Sequence, residues 1–230
     1  MKKKLFFAAI AVCLIAVIAC GSLAYFTASK SIKNSFYTAK SPEDPDPDPD
    51  EIFSIVVEET GKDGKPTQGP TNTYEDVLPG DKVAKDPIVK NTGSYDQFVR
   101  VNVTFDKADV WETALKAKVS STKTKADLKD LLDVDTSKWE YATSTLSNGG
   151  KSITFTYYLK SKLAPTTDKV DNSVKVFTKV SIPEKFDKEQ MAALQGFSIN
   201  VQADAIQTKN TDGGKTGVEA AKYAFANYWN

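Results

Sequence analysis

The sequence predicts a mainly β protein: an antiparallel β-sandwich, jelly-roll-like, with a few short helices. Five or more segments of the 230-residue chain alternate apolar and polar residues, which is the pattern of strands with one buried face. Asn148-Gly149 lies between two such segments and is the strongest short signal for a hairpin. The connections are rich in turn-forming residues, as in sandwiches and jelly rolls.

The first 24 residues have the composition of an export signal. Lys2–Lys4 give a basic start, Leu5–Ala19 is an uncharged apolar run, and Gly21–Ala24 supplies the small residues at which signal peptidases cut. We therefore expect cleavage between Ala24 and Tyr25. The apolar run is shorter than the roughly 20 residues of a membrane span, which argues against a retained anchor.

Cys20 leaves a second fate of the leader open. Val17–Gly21 resembles a lipobox, in which the cysteine is acylated and becomes the mature N-terminus. Cleavage after Ala24 would instead remove both Cys13 and Cys20, and with them any disulfide or thiolate metal ligand. In either case we expect membrane contact only through the uncleaved or lipidated leader.

The charge balance argues against a nucleic-acid partner. The whole chain has 30 basic and 30 acidic residues, and the leader contains three of the lysines and no acid. Cleavage therefore leaves 27 basic against 30 acidic side chains, a weakly acidic protein without the positive charge that phosphate backbones require. The remaining chain is long enough for one domain with its own core.

Two segments separate the leader from the predicted domain. Residues 25–39 form an N-terminal arm, and residues 40–50 alternate proline and aspartate, which predicts a stiff, extended acidic linker because every second residue lacks a backbone donor. The arm's candidate donor-strand residues are Tyr25, Phe26, Ile32, Phe36 and Tyr37. A calcium loop is disfavoured in the linker, since Pro49 occupies the position at which an EF-hand loop needs glycine.

Residues 51–208 contain the predicted sandwich. The clearest strand is Phe98–Phe105, where Val99, Val101, Val103 and Phe105 face one way, and Phe98 shares the other face with Arg100, Asn102 and Thr104. Further strands are predicted at Ile52–Glu58, Pro87–Ser94 (ending in a turn), Trp139–Tyr141, Ser152–Leu159, Val174–Ile182 and Phe197–Ile206. Gly61–Pro70 is predicted to be a loop and Leu78–Asp81 a turn.

Helical periodicity appears in three places. Asp106–Leu132 predicts one or two short helices with Trp111 in the core, and Lys188–Gln195 predicts a connecting helix. Residues 209–230 comprise a glycine-rich linker and an amphipathic helix at Val218–Trp229, which we expect to dock on the domain.

Several short motifs follow one another in a characteristic order. Gly21–Thr27 is similar to a leader end processed by SipW-type signal peptidases, and Asn34–Phe36 to the segment after that cut. Within the domain, the motifs are Leu78–Lys82, Asn91–Ser94, Val99–Val101 and Ala203–Gln207. Together they resemble the TasA/camelysin family. The matching positions are Pro79, Gly80, Asp81, Asn91, Gly93, Arg100, Ala205 and Gln207.

The resemblance implies a jelly-roll protein exported from a Gram-positive cell. Family members such as TasA form extracellular fibres of the biofilm matrix, in which the N-terminal segment adds as a donor strand to the next subunit. Residues 25–39 would be the donor here, with copies of this chain in a head-to-tail homopolymer, or related matrix subunits, as partners. A signal peptidase would act during export. The Asp-Pro linker departs from the family pattern.

Camelysin is associated with protease activity, but the residues here argue against an enzyme. The chain contains no histidine, which excludes zincin motifs and Ser-His or Cys-His machinery. Acidic residues cluster only in the linker. We expect no enzymatic activity, cofactor or metal, and we expect an extracellular or cell-surface location. One alternative function is a monomeric binding module tethered to the surface through Cys20, and a second is a hydrolase that uses a pair of carboxylates.

Overall fold

The structure is a computed structural model, which describes residues 27–32, 53–60, 66–67, 74, 76–116, 128–167 and 169–229. The described part of the chain is mainly β, with antiparallel sheets and a few short helices, as the sequence predicts. The leader with Cys20 and the Ala24–Tyr25 cleavage site lie outside the described residues. Phe26, Phe36, Tyr37 and the Asp-Pro linker lie outside them as well.

The strands and helices of the described residues are numbered in chain order. The strands are β1 Thr27–Ile32, β2 Ile55–Thr60, β3 Pro66–Thr67, β4 Lys82–Ala84, β5 Ile88–Asn91, β6 Gln97–Asp106, β7 Trp139–Ser147, β8 Ser152–Leu159, β9 Val174–Lys175, β10 Lys179–Ser181 and β11 Ile199–Gln207. The helices are α1 Ala108–Lys116, α2 Lys188–Leu194 and α3 Gly217–Tyr228.

The described strands form three antiparallel sheets. The largest has the order β1-β11-β6-β8-β7, the second has the order β3-β2-β5-β9, and β10 pairs with β4. The predicted hairpin joins β7 to β8 through a 3-10 turn at Asn148–Gly150. All three turn residues have positive φ, which asparagine and glycine tolerate better than other residues.

The centre of the largest sheet forms the core. The predicted inner face of β6 is fully buried and comprises Val99, Val101, Val103 and Phe105. These side chains share one apolar cluster with Val57 of β2 and Val89 of β5. The two larger sheets therefore enclose a common core, which is the sandwich arrangement.

Trp111 of α1 closes one end of this core, as predicted. Its side chain is fully buried, and its ring packs edge-on against Phe197 with ring centroids 5.0 Å apart. The neighbouring helix α2 begins with a capping box, in which Asp187 and Gln190 each accept the other's backbone N–H. Phe186, just before that cap, also lies against Trp111.

The prediction of a single strand over Val174–Ile182 is wrong. The chain pairs first as β9 and then as β10, and these two strands belong to different sheets. The carboxylate of Asp133 accepts the backbone N–H groups of Thr178 (2.7 Å) and Lys179 (2.9 Å), which holds the chain at the crossing. Burial raises the pKa of Asp133, but these hydrogen bonds and that of the Thr178 hydroxyl outweigh it and lower the pKa.

Two smaller predictions also need correction. Within the predicted loop Gly61–Pro70, the two residues of β3 pair with the end of β2. Phe98, placed on the polar face of β6, is buried, because α3 covers that face. The helix docks through Ala220, Ala221, Ala224 and Phe225, which confirms the prediction for the C-terminal segment.

Candidate functional site

The arm contributes β1, the outermost strand of the largest sheet. β1 pairs antiparallel with β11 from Thr27 opposite Ile206 to Ile32 opposite Val201. On its other side β11 pairs with β6 along its whole length. The described part of the predicted donor segment therefore occupies an edge position in the sheet of its own chain.

The connection between β1 and the rest of the domain is long. Residues 33–52 separate Ile32 from Phe53, whose side chain is buried in the core. A chain of that length can extend to about 70 Å, at about 3.5 Å per residue. The six-residue pairing with β11 covers only about 20 Å. Residues 33–52, called the tether below, are therefore long enough for β1 to reach a site other than its own β11.

A cluster of polar side chains stabilises β11, the strand with which β1 pairs. The carboxylate of Asp204 is almost fully buried and accepts hydrogen bonds from the guanidinium of Arg100 (2.6 and 3.0 Å) and from the amide of Asn102 (3.0 Å). The amide of Gln202 donates to its second oxygen at 2.8 Å. A buried carboxylate requires such partners. In the register, Ser29 of β1 lies opposite Asp204.

The C-terminal helix covers the other side of Arg100. The guanidinium carbon lies 4.6 Å from the centroid of the Phe225 ring and 5.1 Å from that of Trp229. Both distances allow cation–π attraction. Arg100 thus connects α3, β6 and β11 through one side chain. β1 pairs with β11 at Asp204, the acidic residue of this cluster.

Three motif residues form a turn remote from that cluster. In the turn Leu78–Asp81 the N–H of Asp81 donates to the carbonyl of Leu78 (3.1 Å), and Gly80 has φ +90°, as the third position of a type II turn requires. Gly80 and Asp81 also exchange backbone hydrogen bonds with Ile182. Pro79, Gly80 and Asp81 therefore have a structural role in fixing the chain before β4.

Asn91 and Gly93 belong to a second structural network. The buried Asn91 amide donates to the carbonyls of Tyr95 (2.7 Å) and Leu163 (2.9 Å). Its oxygen accepts from the N–H of Gly93 (3.0 Å) and from the amide of Gln97 (2.8 Å). All of its donors and acceptors are used, so this asparagine ties two loops together and is not presented to a ligand.

The last two motif residues lie on β11. Ala205 is fully buried, with Val99 opposite it on one side and Ala28 on the other. The Gln207 amide donates to the carbonyl of Lys209 at 3.2 Å. The structure thus brings Arg100 and the β11 motif together. The Asn91 network adjoins the end of this strand pair, since Gln97 lies opposite Gln207, whereas the Pro79–Asp81 turn pairs with Ile182. Asp204 was not singled out, although an acid within the alternating apolar strand was a signal for it.

A cavity of about 960 Å³ lies between β4, β10, α2 and β11. Its apolar walls include Val83, Val180, Met191 and Phe197. Lys85 also lines it, and its ammonium group pairs with the buried carboxylate of Glu59. This cavity was not predictable from the pattern of any one segment, because its lining residues come from four separate segments.

The described residues contain no group of three or more acidic, histidine or cysteine side chains placed to hold a metal ion. None of their helices combines the length and apolar character needed to span a bilayer.

Comparison with known proteins found no match to a family model, to a curated protein or to a solved structure. The resemblance to the TasA/camelysin family therefore stays a prediction that rests on the motifs in the sequence.

Proposed function

We propose that this protein is a secreted structural subunit of an extracellular matrix or cell surface, which assembles by exchanging β1 between copies. The observation that carries the proposal is the position of β1. It is an edge strand from the N-terminal arm, joined to the domain through residues 33–52. The leader supports export, and the motif resemblance to TasA/camelysin supports fibre formation.

Exchange costs no strand pairing, because β1 makes the same contacts in its own sheet and in that of a neighbour. If β1 enters the β11 edge of a neighbour, it can form the same antiparallel pairs that it forms with its own β11. Each copy would then donate one strand and accept another, which is a heterologous contact and extends head-to-tail unless it closes into a ring. The balance between monomer and polymer depends on protein concentration and on the tether.

A disulfide trap tests the exchange. Ser31 and Gln202 lie opposite each other in the register of β1 and β11. Directly opposed residues have Cα atoms about 4.5–5.5 Å apart, a separation that a disulfide accommodates. The experiment expresses the full chain with Ser31→Cys and Gln202→Cys, and with Cys13→Ser and Cys20→Ser so that an uncleaved leader adds no thiol. The variants with only Ser31→Cys or only Gln202→Cys serve as controls.

Oxidation at low concentration should lock β1 into its own chain and give monomers that form no filaments in electron micrographs until they are reduced. Oxidation after assembly should give a ladder of covalent multimers on a non-reducing denaturing gel. Filaments that grow normally from locked monomers would contradict the proposal. A protein that stays monomeric at high concentration and carries lipid on Cys20 in its unmutated form would support the tethered binding module.

A further inference from the structure

The opposite edge of the largest sheet is open in the described structure. β7 pairs with β8 on one side, and no described strand pairs with it on the other. An edge strand presents alternate backbone N–H and C=O groups outward, ready to pair with another strand. β7 is nine residues long, so this edge offers a substantial row of such groups.

The side chains along β7 do not protect this edge. The segment Tyr141–Ser147 contains no charged residue and no proline, the usual means of blocking edge pairing. Glu140, just before it, is engaged by the ammonium of Lys222 at 2.6 Å. A β-bulge lies between Tyr141 and Thr143, so it disturbs only one end of the strand.

Two apolar side chains on the inner face of β7 also remain exposed. Leu146 lies opposite the buried Ile153 and Tyr141 opposite the buried Tyr157, so both face the core side of the sheet. Their exposed fractions are nevertheless 40% and 42%. The part of the inner face that β7 contributes is thus incompletely covered within the described residues.

We infer that β7 of one copy pairs antiparallel with β7 of a second copy, about a twofold axis at Ser144. This goes beyond the proposed strand exchange, because it joins a different edge through a different, isologous contact. The pairing would extend the five-stranded sheet across two molecules. Combined with exchange of β1, it would give a paired fibre.

The register is self-complementary on the outer face. Pairing about Ser144 places Thr143 of each copy opposite Thr145 of the other, and both lie on the outer face next to Thr156 and Thr154 of β8. Cross-strand threonine pairs stabilise antiparallel sheets through hydroxyl hydrogen bonds. The same sheet already contains such a pair, since the hydroxyls of Thr104 and Thr154 lie 2.8 Å apart.

The register also accounts for the exposed apolar residues on the inner face. It places Leu146 opposite Ala142, the residue of the bulge, and therefore beside Tyr141 of the other copy. Each dimer would contain two contacts between Tyr141 of one copy and Leu146 of the other, and these contacts would cover the exposed side chains. Glu140 falls outside the paired stretch, so no like charges meet across it.

Cysteine crosslinking at the axis tests this inference. Ser144→Cys, in a chain with Cys13→Ser and Cys20→Ser, places two thiols at directly opposed positions, where a disulfide can form. The matched control is Thr113→Cys, which is exposed on α1. Mild oxidation should convert most of the Ser144→Cys protein, and little of the Thr113→Cys protein, to a covalent dimer on a denaturing gel.

A second substitution keeps the test specific to the edge. Adding Thr145→Lys to the Ser144→Cys chain should remove most of the covalent dimer, whereas adding Thr113→Lys should leave it unchanged. Crosslinking of Ser144→Cys no greater than that of Thr113→Cys would overturn the inference. Filaments without this crosslink would leave strand exchange standing, and the crosslink without filaments would support β7 pairing and count against strand exchange.

Discussion

The two edges of the largest sheet are built in opposite ways. β7 is joined to β8 by the short turn at Asn148–Gly150, and its pairing runs from Trp139 opposite Leu159 to Ser147 opposite Ser152. β1 pairs with a strand from the other end of the chain, and residues 33–52 intervene before the domain begins.

The difference determines which strand can be shared between molecules. A hairpin fixes the register of its second strand, and β7 can leave β8 only if the hairpin opens. β11 lies at the other end of the chain, so no short turn joins it to β1. Under the proposed exchange, the pairing of β1 with its own β11 would compete with identical pairing to another copy. We therefore expect β1 to be the strand that is exchanged, whereas β7 stays in its own sheet, contributes to the stability of the fold and can meet another copy only through its outer edge.

The largest expected effect comes from the anchor of β7. Trp139, at the start of the strand, is 1% exposed, and its indole N–H donates to the carbonyl of Lys175 at 2.8 Å. Trp139→Ala should lower the free energy of unfolding by about 3–5 kcal/mol, because it removes buried area and leaves a cavity. Urea unfolding monitored by circular dichroism measures the loss.

Tyr141→Ala is the matched control on the same strand, because Tyr141 is 42% exposed. We expect it to cost about 1–2 kcal/mol, since its ring still packs against Tyr157 and Phe155, with centroids 5.7 and 6.5 Å away. Equal losses for the two variants would show that β7 is not anchored mainly at its first residue.

Much of this architecture follows from local sequence pattern. The inner face of β6 was predictable, because Val99, Val101, Val103 and Phe105 alternate with polar residues, and burial of one face requires that period. The hairpin was predictable as well, since few residues other than asparagine and glycine tolerate the backbone of Asn148–Gly150. Both signals lie within the segment that they describe.

The predictions that failed concern residues whose surroundings are set by distant segments of the chain. Phe98 is buried by a helix more than a hundred residues later, which the alternation of β6 does not report. The break between β9 and β10 was hidden because Val176 and Phe177 are themselves buried apolar residues and continue the strand pattern. The pairing of Arg100 with Asp204 was missed because periodicity assigns faces and not partner strands.

A smaller loss of stability is expected from substitution of Arg100, which supports β11 where β1 pairs with it. Removal of one partner of a fully buried ion pair costs about 3–5 kcal/mol, because the other charge stays buried. Arg100→Ala should cost less, about 2–3 kcal/mol, since Asn102 and Gln202 still donate to Asp204 and this limits the penalty. Urea unfolding measures the change, together with the fraction of protein in filaments.

Arg100→Lys keeps the charge but loses the planar group between Phe225 and Trp229 and the second hydrogen bond. It should recover part of the stability. If Arg100→Ala and Arg100→Lys lower the free energy of unfolding equally, the positive charge beside Asp204 is unimportant. Packing of Arg100 against α3 then accounts for the effect.

The smallest expected effect concerns the tie between β7 and α3. The ammonium of Lys222 lies 2.6 Å from the carboxylate of Glu140 on β7 and 2.8 Å from that of Glu219. Hydrogen bonds to Glu140 and Glu219 raise the pKa of Lys222 to about 12. Its contribution to stability is therefore fully present below the ordinary lysine pKa of about 10.4 and is lost as the pH rises towards 12.

All three side chains are a third or more exposed, so solvent screening limits the gain. Lys222→Gln should lower the free energy of unfolding at pH 7 by about 0.2–1 kcal/mol at low salt, and by less in about 1 M salt, where the Debye length is only about 3 Å. The control, Lys162→Gln, changes another exposed lysine. A salt-independent loss larger than that of Trp139→Ala would mean that α3, and not Trp139, holds β7 on the sheet.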